Sequence, residues 1–154
     1  MGLFLLGSGS KQGVITVKDV NDDVYKNAEV GVHVKNKKVK YKAKFIDNEP
    51  VLTIQIAVKN NSIREIHNED INENNYVANK NYLSVCLKEK LKEKISSSVD
   101  KVIENSMAYA DIFGLESKFK MQHPKQYKKY KELFGDDFIK QIKINYDVKI
   151  GDKE

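Results

Sequence analysis

Three consecutive stretches in the first half of the chain alternate apolar and polar residues with period two. Ala28, Val30, Val32 and Val34 interleave with Glu29, Gly31, His33 and Lys35. Val39, Tyr41, Ala43 and Phe45 interleave with four lysines, and Leu52, Ile54, Ile56 and Val58 with Thr53, Gln55, Ala57 and Lys59. One apolar and one polar face per stretch predict antiparallel strands packed on one side and wet on the other. Asn36-Lys37 and Asn48-Glu49-Pro50 are short enough to be the hairpin turns between them. Ile15 and Val17 suggest a shorter strand upstream, and Ile66–Asn75 reads as a polar, Asn-rich connection without a core face.

The period then changes. Leu83, Leu87, Leu91, Ile95, Val99, Val102, Ile103, Met107 and Ala110 recur at helical spacing, predicting a long helix from about Asn79 to Ala110. Steps of four drift off a heptad seam, which argues against a coiled coil. Ser96-Ser97-Ser98 is a low-propensity patch where this helix could kink. Pro124 suits the first turn of a later helix, because its φ is already helical and its missing N–H is not needed there. Tyr127, Tyr130 and Phe134 share a face of that helix, and Gly135 stands at its end. Ile142, Ile144, Tyr146, Val148 and Ile150 restore period two in a last strand, which must return to the sheet across the helical layer. The order predicts an α+β fold: a mostly antiparallel, mixed sheet of four to five strands. The long helix and shorter helices pack on one face, and the long helix covers Tyr41, Phe45, Leu52, Ile54 and Ile56.

The 154 residues fit one domain, assigned to residues 11–154, and Gly7-Ser8-Gly9-Ser10 makes residues 1–10 a linker or engineered join. No apolar run reaches the roughly 18 residues of a membrane helix, and Met1–Leu6 is too short for a signal peptide. A single cysteine, Cys86, excludes a disulfide scaffold and a Cys-rich zinc class. Beside the helix stripe it reads as a small hydrophobe.

Charge adds less than a pI near 9.1 suggests. Arg64 is the only arginine among 27 basic residues, whereas nucleic-acid readers lean on arginine for bidentate contacts. The excess is local: residues 1–75 hold 11 basic and 10 acidic side chains, and residues 76–154 hold 16 and 12. Lys118–Lys131 carries six lysines and no acid. A run of this kind is an ordinary solvated helix face or an anionic docking surface, with Lys118, Lys120, Lys125, Lys128 and Lys129 as its residues. A lysine-rich module for polyanions or nucleic acid is therefore the alternative reading.

Catalytic chemistry is thin. His33, His67 and His123 stand apart from one another and from Cys86, so no metal spacing appears. Nucleophile elbows and phosphate loops are lacking, and Glu89 and Glu93 interleave with lysines as solvated helix faces do. No catalytic, cofactor-binding or metal residue is assigned, and no cofactor is expected.

One block does carry a resemblance. Ala110-Asp111-Ile112-Phe113-Gly114, then His123-Pro124-Lys125-Gln126-Tyr127, then Phe134 and Phe138 before an alternating strand, resembles the C-terminal domain of the Ger(x)C family. These are the lipoprotein C subunits of spore nutrient germinant receptors. Gly13–Val17, the amphipathic strands, Ile63-Arg64-Glu65 and Gly2–Leu6 are similar to that layout, although Phe134 stands where the family usually has Trp. The resemblance implies no enzymatic activity and a place among receptor A and B subunits. It further implies an outward-facing position at the spore inner membrane, through a lipid anchor that this chain lacks. It implies no nucleic acid, and a chain that is an excised domain of a longer subunit. Asp111, Phe113, Gly114, His123, Pro124, Tyr127 and Phe134 are its motif residues, structural or interacting. Asp111 is expected to cap the turn after the long helix, Gly114 to take positive φ, and the aromatic residues to lie in the core.

Overall fold

The structure is a computed structural model that describes residues 12–23, 25–59, 62–67, 83–109, 111 and 113–151. The Gly7–Ser10 linker, the entering segment Gly2–Leu6, most of the Asn-rich connection, the first residues of the expected helix, Ala110 and Ile112 lie outside them. Six strands are described: β1 (Gly13–Val20), β2 (Ala28–Val34), β3 (Asn36–Ile46), β4 (Glu49–Lys59), β5 (Ser62–His67) and β6 (Lys143–Ile150). Between β5 and β6 come α1 (Val85–Tyr109), α2 (Leu115–Gln122), α3 (Pro124–Phe134) and a 3-10 turn at Gly135–Gln141.

The class is α+β with mostly antiparallel, mixed pairing. Among the described residues the strands form two three-stranded sheets, β1-β2-β5 and β3-β4-β6, in place of a single sheet. β6 joins β4 in parallel, at an edge. The expected hairpin turn at Asn36-Lys37 is absent, because both residues are already in β3, paired with Lys59 and Val58. Only Lys35 separates β2 from β3. The turn that does exist is shorter than expected: Asp47 and Asn48 take φ of 49° and 62°, the two positive values of a type I′ hairpin, while Glu49 and Pro50 belong to β4.

The result is a single long ribbon of β2–β3 against β4–β5. Among the described residues the pairing holds the same register from Ile46↔Glu49 to Asn36↔Lys59 and again at His33↔Ser62 and Val32↔Ile63, and shifts by one residue only beyond that, at Gly31↔Glu65. The buried phase nevertheless changes: even residues of β2 are buried, but Val39, Tyr41, Ala43 and Phe45 face the core from β3. Equal register on the two sides of Lys35 excludes a net one-residue slip there, so the ribbon itself turns its other face inward near Lys35. Two-stranded ribbons twist more strongly than broad sheets, which permits this. Register within each sheet is as the alternation predicts: Lys40 and Lys42 are exposed, and Tyr41 is half-buried.

The helix stripe is the core. Leu83, Leu87, Leu91, Ile95, Val99 and Ile103 are buried, and α1 runs through Ser96–Ser98 as one helix. Five buried apolar side chains on one face of α1, with Leu83 just before it, outweigh the poor propensity of three serines. α1 packs on β1 and β6 and so bridges the two sheets. It does not provide the cover expected over Tyr41 and Phe45. α2 and α3 lie there instead.

The start of α1 is pinned to the β1–β2 loop. Ser84, only 6% exposed, accepts a hydrogen bond from the Leu87 amide at 3.1 Å and donates its hydroxyl to the Asp22 carboxylate. That carboxylate also accepts from the Tyr25 amide at 2.8 Å, and the Tyr25 side chain is buried. Neither Asp22 nor Ser84 stands out in the sequence, because their partnership spans 62 positions.

Candidate interaction surface

α2, α3 and the 3-10 turn form a small layer against β3, an edge strand. The layer begins at Asp111. Its Oδ1 accepts from the Leu115 amide at 2.6 Å and its Oδ2 from the Glu116 amide at 2.9 Å, so one carboxylate satisfies two orphan donors of α2. The turn between them requires Gly114, whose φ is +61° and whose amide donates to the Asp111 carbonyl at 3.1 Å. Phe113 is half-buried and packs against the core.

Where α2 ends, its last side chains close the edge of β3. Gln122 Oε1 accepts from the Ala43 amide at 2.9 Å, and Gln122 Nε2 donates to the Tyr41 carbonyl at 3.2 Å. His123 Nε2 lies 2.9 Å from the Ala43 carbonyl, and since a carbonyl only accepts, the imidazole presents an N–H there. Two side chains thus stand where a neighbouring strand would bond. The outward-facing Tyr41 carbonyl and Ala43 amide also place Phe45↔Pro50 at a non-hydrogen-bonded pair, where proline costs β3 no bond.

Pro124 opens α3 at its first turn, as expected. No residue of α3 is buried, and the helix holds on through rings and one carboxylate. Phe45 meets Phe119 edge-on at 5.4 Å and lies 4.9 Å from Tyr130, while Phe138 meets Phe119 at 5.6 Å and Tyr127 at 5.4 Å. The Tyr127 hydroxyl donates to Glu116 at 2.6 Å, and Lys131 Nζ is 2.9 Å from the same carboxylate. Burial and then the Glu116 hydrogen bond raise the Tyr127 phenol above its ordinary range, and the Glu116 bond also raises Lys131. The Tyr130 hydroxyl donates to the Asn48 carbonyl and so clamps α3 to the hairpin turn.

Phe134 departs from expectation. It is 39% exposed and stacks on Tyr130 at 6.0 Å instead of entering the core, because Phe138 fills the position beside Phe119 and Tyr127. Glu116, Phe119 and Gln122 are the members of this layer that sequence patterning passes over. Their partners lie on another helix or a distant strand, and no local spacing announces them.

The sequence block Asp111–Phe138 therefore folds as one layer, and the expected basic surface divides within it. Lys118 lies 5.1 Å from the centre of the Tyr41 ring, and Lys131 is tied to Glu116 and Asp136. Lys120, Lys125, Lys128 and Lys129 are exposed on the outside. No group of three or more His, Cys, Asp or Glu side chains placed to hold a metal occurs among the described residues, and none of their helices is long and apolar enough to cross a membrane.

The model of the C-terminal domain of the "Spore germination B3/GerAC like" family matches residues 1–151 continuously. The chain belongs to this family. Members of the Spore germination B3/GerAC-like family are receptor C subunits of spore germination. A solved structure, that of the GerBC protein, is similar at a TM-score of 0.66 and 18% identity over 96% of this chain, which shows the fold. The chain spans 43% of the GerBC chain's length. No curated protein matches it.

Proposed function

We propose that this domain is a non-enzymatic docking part of a germinant receptor C subunit, contributing to receptor assembly or signalling in nutrient-triggered germination. The continuous family match over residues 1–151 carries the reading. Its partners are the receptor A and B subunits, and its place is the outward face of the spore inner membrane, reached in the full-length protein through a lipid anchor. The residues proposed for contact are those whose charges the fold leaves unspent, Lys125, Lys128 and Lys129 on the outer side of α3. Asp111, Gly114, His123 and Tyr127 have structural work inside the layer, and Phe113, Pro124 and Phe134 shape its margin.

The test places Lys128→Glu and Lys129→Glu in the full-length subunit and measures receptor assembly and nutrient-triggered germination. A folded subunit that no longer assembles supports docking through α3. Unchanged assembly and germination remove α3 as the surface, and germination that survives loss of every such C subunit removes the receptor role.

A further inference from the structure

The face of the β3-β4-β6 sheet turned away from the helices carries a charge pattern that the receptor reading does not use. Lys38, Lys40, Lys42 and Lys44 project from β3, and Lys143 and Lys149 from β6. All six are exposed. α1, α2 and α3 pack on the opposite side, where Tyr41, Ile54 and Ile56 point. The acids on this face are engaged: Glu49 pairs with Lys143, and Asp147 accepts from Gln55 at 2.8 Å. The four β3 lysines and Lys149 have no carboxylate partner among the described residues. Alternate residues rise about 7 Å, so the β3 row alone presents charge over about 20 Å.

The chemistry of the face selects its occupant. Protein interfaces have apolar centres and are depleted in lysine. Among the described residues the row crosses Thr53, Gln55, Ala57 and Asn145 with no exposed aromatic ring, and its one exposed large apolar side chain, Ile46, stands at the hairpin end of β3 and not at the centre of the face. Nucleic-acid surfaces add arginine forks or stacking rings, and this face has neither. A dent of about 170 Å³ between Lys38, Lys40 and Lys149 falls below the roughly 300 Å³ at which small-molecule pockets begin. An open surface of flexible point charges fits a planar, diffuse array of anions. We infer that the lysine face of the β3-β4-β6 sheet rests on the anionic headgroups of a lipid bilayer, peripherally and without insertion. This goes beyond the receptor reading and stands or falls separately from it.

The 154-residue chain is tested by co-sedimentation with vesicles of phosphatidylcholine and phosphatidylglycerol in equal parts, and with pure phosphatidylcholine. Binding is expected only to the anionic vesicles, weakening as salt rises. Each lysine near such a surface contributes roughly fivefold in affinity, so Lys40→Gln alone should show about that loss. Lys38→Gln, Lys40→Gln and Lys42→Gln together should lose on the order of a hundredfold with an unchanged circular dichroism spectrum. Lys125→Gln, Lys128→Gln and Lys129→Gln remove the same charge from α3 and should retain most of the binding. Equal losses from the two triple variants, or no binding to anionic vesicles, overturn the inference. Tighter binding to single-stranded DNA or polyglutamate than to these vesicles overturns it as well.

Discussion

The Tyr146 hydroxyl donates to the Asp100 carboxylate at 2.6 Å and ties the last strand to the middle of α1. Burial first, then the hydrogen bond and charge of Asp100, hold the Tyr146 phenol well above its ordinary pKa. It is the cross-brace between the β3-β4-β6 sheet and the helix that also covers β1.

Removing the brace is expected to cost about 1.5–3 kcal/mol in Tyr146→Phe, the size of one hydrogen bond to a charged group, with the ring still packed. Urea unfolding at neutral pH measures it. A loss above about 3 kcal/mol would mean that more than the hydroxyl had been disturbed.

The same phenol sets an alkaline limit. Its folded pKa is raised above the unfolded value of about 10, so the folded state keeps a proton that the unfolded chain gives up. The stabilisation is complete below about pH 10 and declines as pH rises beyond it. Burial raises Tyr41 and Tyr127 in the same sense. Urea midpoints followed from about pH 8 to pH 11 should fall more steeply in the wild type than in Tyr146→Phe. Parallel curves would sink the assignment.

At Gly114, a side chain would meet two obstacles. The backbone stands at φ +61°, and an added Cβ would come 2.9 Å from Ser117 Oγ. Gly114→Val should destabilise by about 2–3 kcal/mol, since a β-branched residue resists positive φ. Gly114→Asn should cost less, because asparagine tolerates this region and the serine hydroxyl can rotate. Thermal midpoints of the two variants should therefore separate, with valine the lower.

Two phenylalanines fifteen positions apart should respond differently to truncation. Phe119 is fully buried among Phe45 and Phe138, so Phe119→Ala should cost about 3–5 kcal/mol. Phe134 only stacks on Tyr130 at the surface, and Phe134→Ala should cost about 1 kcal/mol. Equal losses in chemical unfolding would contradict the placement of Phe134.

The closed edge of β3 has its own measurement. Gln122→Ala removes the acceptor of the Ala43 amide and the donor to the Tyr41 carbonyl. Hydrogen exchange at the Ala43 amide should accelerate by roughly tenfold, in line with about 1 kcal/mol per lost bond, while β6 amides keep their protection. Unchanged exchange at Ala43 would show that the edge is closed by something other than Gln122.

Strict alternation made β2, β3, β4 and β6 readable from sequence, because a strand with one wet face writes its period plainly. β5 escaped for a physical reason. Its pairing jumps from Val32↔Ile63 to Gly31↔Glu65, a bulge at Arg64 that puts Ile63 and Ile66 three apart and erases period two. The change of phase between Val34 and Val39 was visible, but a hairpin turn and a rotated ribbon leave the same mark on a sequence. Asp111 and Gly114 were readable because cap and turn are local. Gln122, Glu116 and Ser84 were not, because their partners sit on other elements at distances in sequence that no pattern spans.

The ribbon also bears on how the chain folds. A hairpin that starts at Asp47-Asn48 and zips outward lays down β3 with β4 first, and β2 with β5 by continuing the same motion, with one residue of slip at the Arg64 bulge. The architecture is two-sheeted, yet its assembly follows one turn, and damage at Asp47 or Asn48 delays both halves together.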